Sequence, residues 1–548
     1  RHDAIERRQL EELHALELDR DRPIDHKIAR AFALTLGIAE PEALDKTRGF
    51  VNLGGDSLGA VELVAHIAAL TGVDLSVGLV LDPTSSVASI VDAIRQRLSG
   101  AAERRVTFAD VHGAGASAVR AEDLRIERFL SSAELAAASG APPSGPPTVV
   151  LTGANGFLGR FLVLDLLERL APRHGKLVAI VRARSDESAR QRLAASYEGV
   201  DPALPSRFAE LSSTEGSLEV IAGDLIEPRL GLSPARWDHL ASQVSAIVHN
   251  GALVNHAFSY AQLFEPNVLG TVEMIRLALR RRAPLSLLST VGVAGGVDRV
   301  EPVREDEDAL ALWKSRPVDS GYAVGYSTSK WADELLARDF ESRTGVPVSV
   351  FRCSMIMPPC AYVGPVNTTD FLTRLLESVI VTGIAPRSFY AEGAARHFDG
   401  LPVDVIARAI GAISVNTGAG FATYQAVNGH NYDGVSLDTM VSWIQRAGYP
   451  LARIDDYEDW VKQLRARLVA LSPVQQHRSM LPILHHWDRP SASEVLFDNG
   501  RLRARLEALG EPAWLPDIDE HTLRRYLENM RHAALIPGPA EAPSPARA

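Results

Sequence analysis

The chain has two cysteines, Cys353 and Cys360, in 548 residues. That excludes a disulfide framework and fits a reducing, cytoplasmic setting. No apolar run approaches the roughly 18 residues that a membrane helix needs, and no secretory signal opens the sequence. Positive charge is in deficit: 57 Lys and Arg against 68 Asp and Glu leave a net charge of −11. Such a balance excludes nucleic acid or an anionic membrane as the main partner. Metal-ligand spacing is missing too. The cysteines form no CxxC, and "LHHW" at 484–487 has no further ligands at zinc spacing, so no metal is expected. No G-x-S-x-G elbow occurs, which removes the nucleophile for hydrolytic release of an ester. The first residue is Arg1, not Met, and the expectation is a piece cut from a longer polypeptide.

A chain this long exceeds what one hydrophobic core supports. Residues 1–20 read as the end of an upstream region. Residues 21–100 read as helices, among them "DRPIDHKIARAFALTLGI" and "PTSSVASIVDAIRQRL". Residues 101–146 turn rich in Ala, Gly, Ser and Pro and end in "SGAPPSGPPT", a linker composition interrupted by the helical patch "AEDLRIERFLSSAEL", a candidate for docking on a neighbour. From 147 to 535, short strands alternate with helices, the pattern of a parallel sheet. The strand candidates are "TVVLTG", "KLVAIVR", "LEVIAGD", "AIVHNG", "LSLLST" and "VSVFRC". The tail 536–548, "IPGPAEAPSPARA", reads as disordered.

In the helical zone, "LGGDSL" at 53–58 precedes the run "LGAVELVAHIAAL". Gly54 and Gly55 make a turn, Asp56 is a possible cap, and Ser57 begins a helix. Leu58, Val61, Val64, Ala65 and Ala68 are expected on its buried face. The Ser57 hydroxyl then sits at a helix N-terminus, where a phosphate ester meets free N–H groups and the positive end of the dipole. The stretch resembles the attachment site of acyl and peptidyl carrier domains. That resemblance implies a four-helix carrier with 4′-phosphopantetheine on Ser57, added by a phosphopantetheinyl transferase.

The second zone opens with "VVLTGANGFLGR", a strand followed by Gly153, Ala154, Asn155, Gly156 and, in the helix, Gly159. Bare backbone there lets a pyrophosphate approach a helix N-terminus. Strand two runs into "IVRARSDESARQRL", with arginines where an NAD site carries Asp or Glu. Guanidinium groups suit a 2′-phosphate, so NADPH is favoured. Arg182 and Arg192 are the first choice, with Arg184 and Arg190 as alternatives. "LSLLST" ends in Thr290, and "YSTSK" places Tyr326 and Lys330 on one helix face. A tyrosine beside a cation moves towards ionisation and becomes a usable acid, and Thr290 can hydrogen-bond a substrate oxygen.

These features resemble the extended short-chain dehydrogenase/reductase superfamily. The resemblance implies a Rossmann-type α/β domain with a smaller C-terminal substrate-binding subdomain. It makes Thr290, Tyr326 and Lys330 catalytic. It sets Asp224 and Leu225 of "AGDL" against adenine, and Asn250, Gly251 and Ala252 of "VHNGA" against ribose and phosphates. It also makes Asn267 of "NVLGT" structural. Asp370 in "NTTDFLTRLL" is a candidate for the substrate pocket, but reads first as a helix cap or a solvated carboxylate. Taken together, "LGGDSL", "TGANGFLGR", "GDL", "HNGA", "LLSTVGVAG" and "YSTSKWADELL" resemble the carrier-plus-reductase portion of carboxylic acid reductases. That family implies reduction by NADPH of an acyl thioester held in cis on Ser57, with release of an aldehyde. ATP and Mg would serve only an upstream adenylation domain. The rival readings are a terminal reductase module of a nonribosomal peptide synthetase or an aminoadipate reductase. A sugar-nucleotide epimerase or a non-catalytic scaffold on the same fold is opposed by the carrier serine.

Overall fold

The computed structural model describes residues 23–38, 44–55, 57–73, 75, 79–80, 85–98, 105–136, 145–199, 201–297, 299, 301–319, 321–394, 396–429, 434–491, 495–539 and 541–542. The upstream stretch 1–20 and the cap candidate Asp56 lie outside them. The chain divides into two compact units, Arg1–Asp110 and Val111–Ala548.

In the first unit the described residues form α1 (Ile24–Thr35), α2 (Ser57–Thr71) and α3 (Val87–Leu98). The stretch where a fourth helix would run is described only at 75, 79 and 80. α1 packs on both α2 and α3, burying Ile28, Ala31 and Phe32 against Leu63, Ile67, Ile90 and Ile94. Phe32 meets Phe50 edge to face with ring centroids 5.9 Å apart. Ser57 is the first residue of α2 as expected, but the buried face of that helix is shifted. Ala60, Leu63 and Ile67 are buried, whereas Val64 and Ala68 are half-buried and Ala65 is exposed. The side chains of Ser57, Leu58 and Val61 are not among those described. α2 is apolar nearly all round, so its sequence period leaves the phase open and packing on α1 decides it.

The second unit is built on seven parallel strands: β1 (Thr148–Thr152), β2 (Lys176–Val181), β3 (Leu218–Ala222), β4 (Ala246–His249), β5 (Leu285–Thr290), β6 (Val348–Cys353) and β7 (Phe421–Ala426). Their order is β7-β6-β5-β4-β1-β2-β3. Helices cover both faces, which is why the inner strands read as largely apolar segments with few polar residues. β7, "FATYQA", escaped the sequence reading because Thr423 and Gln425 interrupt its apolar pattern. Gln425 is buried all the same, donating through Nε2 to the Val303 and Asp498 carbonyls, both at 2.8 Å. The strand order reverses direction between β1 and β4, and a crevice for a ligand opens at such a point, beyond the carboxyl ends. One core packs the sheet against α4 (Phe157–Leu170) and Val403–Ser414. A second core joins helices Phe371–Thr382, Leu437–Arg446, Tyr457–Val469 and Glu520–His532 into a C-terminal subdomain.

Two compositional expectations are revised. Within the stretch 101–146 read as linker, Ala118–Arg120 forms a strand antiparallel to Ser315–Pro317. The patch that follows, the docking candidate, does dock: the Ile126 N–H donates to Asp339 Oδ2 at 2.9 Å, and Arg276 pairs with Glu134 at 2.6 Å. The tail 536–548 is packed where it begins, with Ile536 buried and the Tyr449 hydroxyl donating to the Pro537 carbonyl at 3.0 Å. Residues 540 and 543–548 lie outside the described ones. Among the described residues, no helix is long and apolar enough to cross a membrane and no three acidic, His or Cys side chains form a metal cluster.

Beneath the sheet's carboxyl end, Arg352 of β6 and Glu334 form a fully buried ion pair at 2.7 Å. Ser289 of β5 donates to the same carboxylate at 2.6 Å. Removing one partner of a buried pair leaves an uncompensated charge, so Arg352→Met should cost about 3–5 kcal/mol. The double change Arg352→Met/Glu334→Leu should recover part of that loss, because an apolar pair of similar volume replaces the ions. Urea midpoints for the second unit check both. Equal midpoints for the single and double variants would contradict the assignment.

Candidate active site

The carboxyl ends of β1 and β4 approach so closely that backbone alone fits between them. Gly153 has φ +68°, and a Cβ there would lie 2.8 Å from the Gly251 backbone. A Cβ on Gly159, in the first turn of α4, would lie 1.8 Å from the Gly153 carbonyl oxygen. The turn is closed by Asn250, whose Nδ2 donates to that carbonyl at 3.1 Å. The fold therefore brings Gly153, Ala154, Asn155, Gly156 and Gly159 together with Asn250, Gly251 and Ala252. Such a bare cradle at a helix N-terminus fits the pyrophosphate of a dinucleotide.

The adjoining loops are held from behind. Leu225 packs against Gly251, where a Cβ would meet its Cδ1 at 2.6 Å. Asp224 accepts from the Ile226 N–H at 3.1 Å. Asn267 clamps the loop after Ala252: its Oδ1 accepts from Leu253 N–H at 2.8 Å, and its Nδ2 donates to the Leu253 carbonyl at 3.2 Å and to Ser329 Oγ at 2.9 Å. At the end of β2, Arg192 of α5 (Asp186–Ala195) reaches back and donates to the Arg182 carbonyl. Arg190 instead pairs with Glu187 on the helix surface at 3.0 Å.

β5 and β6 bring the chemical groups into register. Thr290 is the strand partner of Cys353, and its hydroxyl accepts from Gly292 N–H at 3.1 Å. Helix α6 (Gly270–Arg281) precedes β5, and α7 (Val324–Thr344) packs on β5 and on the turn after it. α7 begins at a strained point: Ala323 is left-handed, with φ +61°, and its N–H donates to the His256 carbonyl at 2.8 Å. Tyr326 and Lys330 lie one turn apart on this helix. Lys330 is 2% exposed and donates through Nζ to the fully buried Asp333 Oδ2 at 3.2 Å.

That pairing changes the electrostatics expected of the tyrosine. A free ammonium beside the phenol would draw it towards ionisation. Here burial pushes the Tyr326 phenol well above its ordinary value, and Cys353 and Asp333 push it the same way. The Cys353 thiol itself is pushed up to about 12 by burial, against the pull of Lys330. The phenol is protonated at neutral pH, as an ordinary tyrosine is, and the upward shift makes it a weaker acid than the Tyr-Lys spacing alone predicts.

Three groups absent from the sequence reading, His256, Tyr322 and His249, lie in this region, His256 against Tyr326 itself. His256 stacks at a tilt on Tyr326 with centroids 5.6 Å apart, and its Nδ1 lies 2.7 Å from the Tyr322 hydroxyl. Burial, then Arg374, holds its imidazole down to about 4. Tyr322 leads on to Trp487, which stacks on Phe371 at 4.2 Å. His249 is fully buried behind the cradle between Thr152 and Thr271. Only their proximity in the fold marks them, apart from His249, which sits inside "VHNGA". Asp370 caps Phe371–Thr382 by accepting from Thr373 N–H at 2.7 Å. It is buried, not solvated, and burial raises it to about 7.

Comparison with known proteins fits this geometry. A family model described as "Phosphopantetheine attachment site" matches residues 26–94, and an NAD-binding one described as "Male sterility protein" matches residues 151–410. A carboxylic acid reductase of Segniliparus rugosus is 40% identical over 528 residues, covering 94% of this chain and 44% of that protein. An isonitrile lipopeptide synthase of Mycobacterium tuberculosis is 42% identical over 537 residues, covering 94% of this chain and 21% of that one. The chain thus spans less than half the length of the curated relatives it matches. The crystal structure of the reductase domain of a nonribosomal peptide synthetase from Mycobacterium tuberculosis superposes with TM-score 0.70 at 42% identity, over 76% of this chain and 100% of that one. With a carrier domain ahead of a dinucleotide cradle and a Tyr-Lys helix, the chain belongs to the family of carrier-linked thioester reductase domains shared by carboxylic acid reductases and nonribosomal peptide synthetases.

Proposed function

We propose that the chain reduces an acyl group, held as a thioester on a phosphopantetheine arm of Ser57, and releases it as an aldehyde. The observation that carries the reading is a protonated, buried Tyr326 one helical turn from Lys330, at the carboxyl edge of a sheet whose cradle suits a dinucleotide. Bound NADPH would supply the hydride. Tyr326 donates its proton to the carbonyl oxygen as charge develops there, a role that a phenolate could not fill. The Thr290 oxygen already accepts from Gly292 N–H, which leaves its own proton to point at the same oxygen. Lys330 has ammonium protons beyond the one given to Asp333, and these hold the nicotinamide ribose.

The remaining residues bind and orient. Gly153, Ala154, Asn155, Gly156 and Gly159 receive the pyrophosphate, Asp224 and Leu225 the adenine, and Asn250, Gly251 and Ala252 the ribose and phosphates. Arg182 and Arg192, adjacent at the end of β2, grip the 2′-phosphate, with Arg184 and Arg190 as alternatives. In the whole protein, an upstream adenylation domain would load the arm with ATP and Mg, after a phosphopantetheinyl transferase has modified Ser57 in the cytoplasm. The 42% identity to the lipopeptide synthase supports a second reading, a terminal reductase of a peptide synthetase. The kind of domain that precedes Arg1 in the parent polypeptide distinguishes the two.

Intact mass and rate together test the main reading. Incubation with coenzyme A and a phosphopantetheinyl transferase should add the arm to the wild type and to Tyr326→Phe, but not to Ser57→Ala. With a small soluble acyl thioester, Tyr326→Phe should lose roughly 100- to 1000-fold in NADPH oxidation rate, the value of one catalytic hydrogen bond of this type. A near wild-type rate in that variant would refute the role of the phenol.

Cofactor choice is tested separately. Arg182→Ala/Arg192→Ala should weaken NADPH by at least ~10-fold, given about 1.5–3 kcal/mol per charged hydrogen bond. NADH affinity should hardly change in the same fluorescence titration. Equal losses for both nucleotides would contradict the 2′-phosphate role.

A further inference from the structure

Lys330 does not stand as an isolated cation. Its counter-charge, Asp333, is 0% exposed and lies one turn further along the same helix. Burying a carboxylate is costly unless it is paired and hydrogen-bonded, and an uncharged residue would fill this position at no such cost. The other groups facing the carboxylate are few. Glu334 from α7, the Tyr326 and Tyr260 hydroxyls and the Thr271 hydroxyl of α6 act on it or are acted on by it. His249 and Cys353 face Lys330 from β4 and β6. Asp333 Oδ1 has no hydrogen-bond partner within ordinary reach among the described residues, and Thr271 is the neutral donor acting on the carboxylate.

Thr271 in turn ends a buried polar row. Gly251 N–H donates to Thr152 Oγ1 at 2.9 Å, Thr152 Oγ1 lies 2.8 Å from His249 Nδ1, and His249 Nε2 lies 3.2 Å from Thr271 Oγ1. Burial, with Lys330 acting the same way, holds His249 down to about 3, so the ring is neutral with one N–H. No hydrogen bond of ordinary length joins Thr271 to Asp333 among the described residues; Thr271 acts on the carboxylate from nearby, and with its proton turned towards an ionised Asp333 it takes the His249 Nε2–H. Nδ1 is then bare and accepts the Thr152 proton. The row therefore runs from the cofactor cradle to Thr271, beside the carboxylate to which Lys330 donates.

We propose that Asp333 is the positioning residue for Lys330: its buried carboxylate, oriented through Thr271 and His249 from the cradle, fixes the ammonium where the nicotinamide ribose and Tyr326 need it. The inference rests on the reading that Tyr326 and Lys330 serve the chemical step. Burial, opposed by Lys330, raises the Asp333 carboxyl to about 6. Protonation below that value removes the counter-charge, so wild-type turnover should have an acid limb near pH 6. His249 at about 3, His256 at about 4 and Cys353 at about 12 do not cross that range. Asp370, at about 7, caps a helix of the C-terminal subdomain and faces Tyr322, not Lys330.

The test uses the full chain, saturating NADPH and a soluble acyl thioester between pH 5 and 9. Asp333→Asn should lower kcat roughly 10-fold or more, the loss expected for one charge-assisted hydrogen bond. KM for the thioester should stay within about twofold, and the acid limb should vanish. Asp333→Glu should restore a limb and part of the rate. NADPH affinity, followed by fluorescence, should weaken in Asp333→Asn through the ribose grip. If Asp333→Asn does not fold, Thr271→Val, which takes a donor from the carboxylate, should move the limb of an active enzyme to higher pH. A wild-type rate and an unmoved limb in Asp333→Asn, or an unmoved limb in Thr271→Val, would overturn the proposal. Lys330→Ala, measured alongside, separates the failures: if it too keeps full activity, the reading of the site falls; if it loses activity, only the role of Asp333 falls.

Discussion

Helix α7 buries four ionic side chains, Lys330, Asp333, Glu334 and Asp339, and each must find its opposite charge without water. The rest of the second unit is arranged around that demand. Asp333 answers Lys330 within the helix, and Glu334 takes Arg352 from β6 together with Ser289 from β5. Asp339 takes Arg343, Arg125 and the Ile126 N–H, and so reaches the docked segment ahead of the sheet. The helix that carries Tyr326 is therefore fixed on three sides by charge. Its N-terminal turn is fixed by the strained Ala323 and its bond to the His256 carbonyl. Four buried ions contribute little net stability by themselves, but they permit few alternative placements of Tyr326.

The chemistry follows from what that pairing does to acidity. A tyrosine close to an unpaired lysine is poised to ionise and serves either direction of hydride transfer. A tyrosine in a dry pocket, with its lysine neutralised by an aspartate, keeps its proton. On the proposed reading, the phenol gives up its proton only as charge appears on a substrate oxygen. On that reading, the same dryness would strengthen the contacts of Thr290 and Lys330 as charge develops.

Much of this was readable in the sequence. The five inner strands of a sheet covered on both faces announce themselves as largely apolar segments, and the edge strand β3 is legible in the same way. The glycine turn, the Ser57 helix start and the Tyr-Lys spacing are local patterns, and the fold sets them where a local pattern can be used. What escaped depends on partners far along the chain. β7 hides its strand character because Gln425 finds carbonyl acceptors near residues 303 and 498. α2 is apolar on nearly every side, so its inner face is decided by α1. Asp333 stands in plain view three residues after Lys330, but its effect on Tyr326 depends on burial, which no spacing reveals. His256 and Tyr322 meet only after some sixty intervening residues have folded.

The docked segment Val111–Ala136 bears on where the reductase can be cut from its parent. A boundary at the compositional break near 147 would discard the strand Ala118–Arg120 and leave Ser315–Pro317 as an open edge. It would also uncover Tyr260, whose hydroxyl lies 3.1 Å from His112 Nε2 and whose ring packs against Phe264, itself in contact with Phe129. Tyr260 begins the short helix that runs on towards Asn267, the residue that clamps the loop beside the cofactor cradle. A fragment starting near residue 105 keeps this buttress, whereas one starting at the first strand of the sheet exposes an apolar flank and slackens the loop it supports.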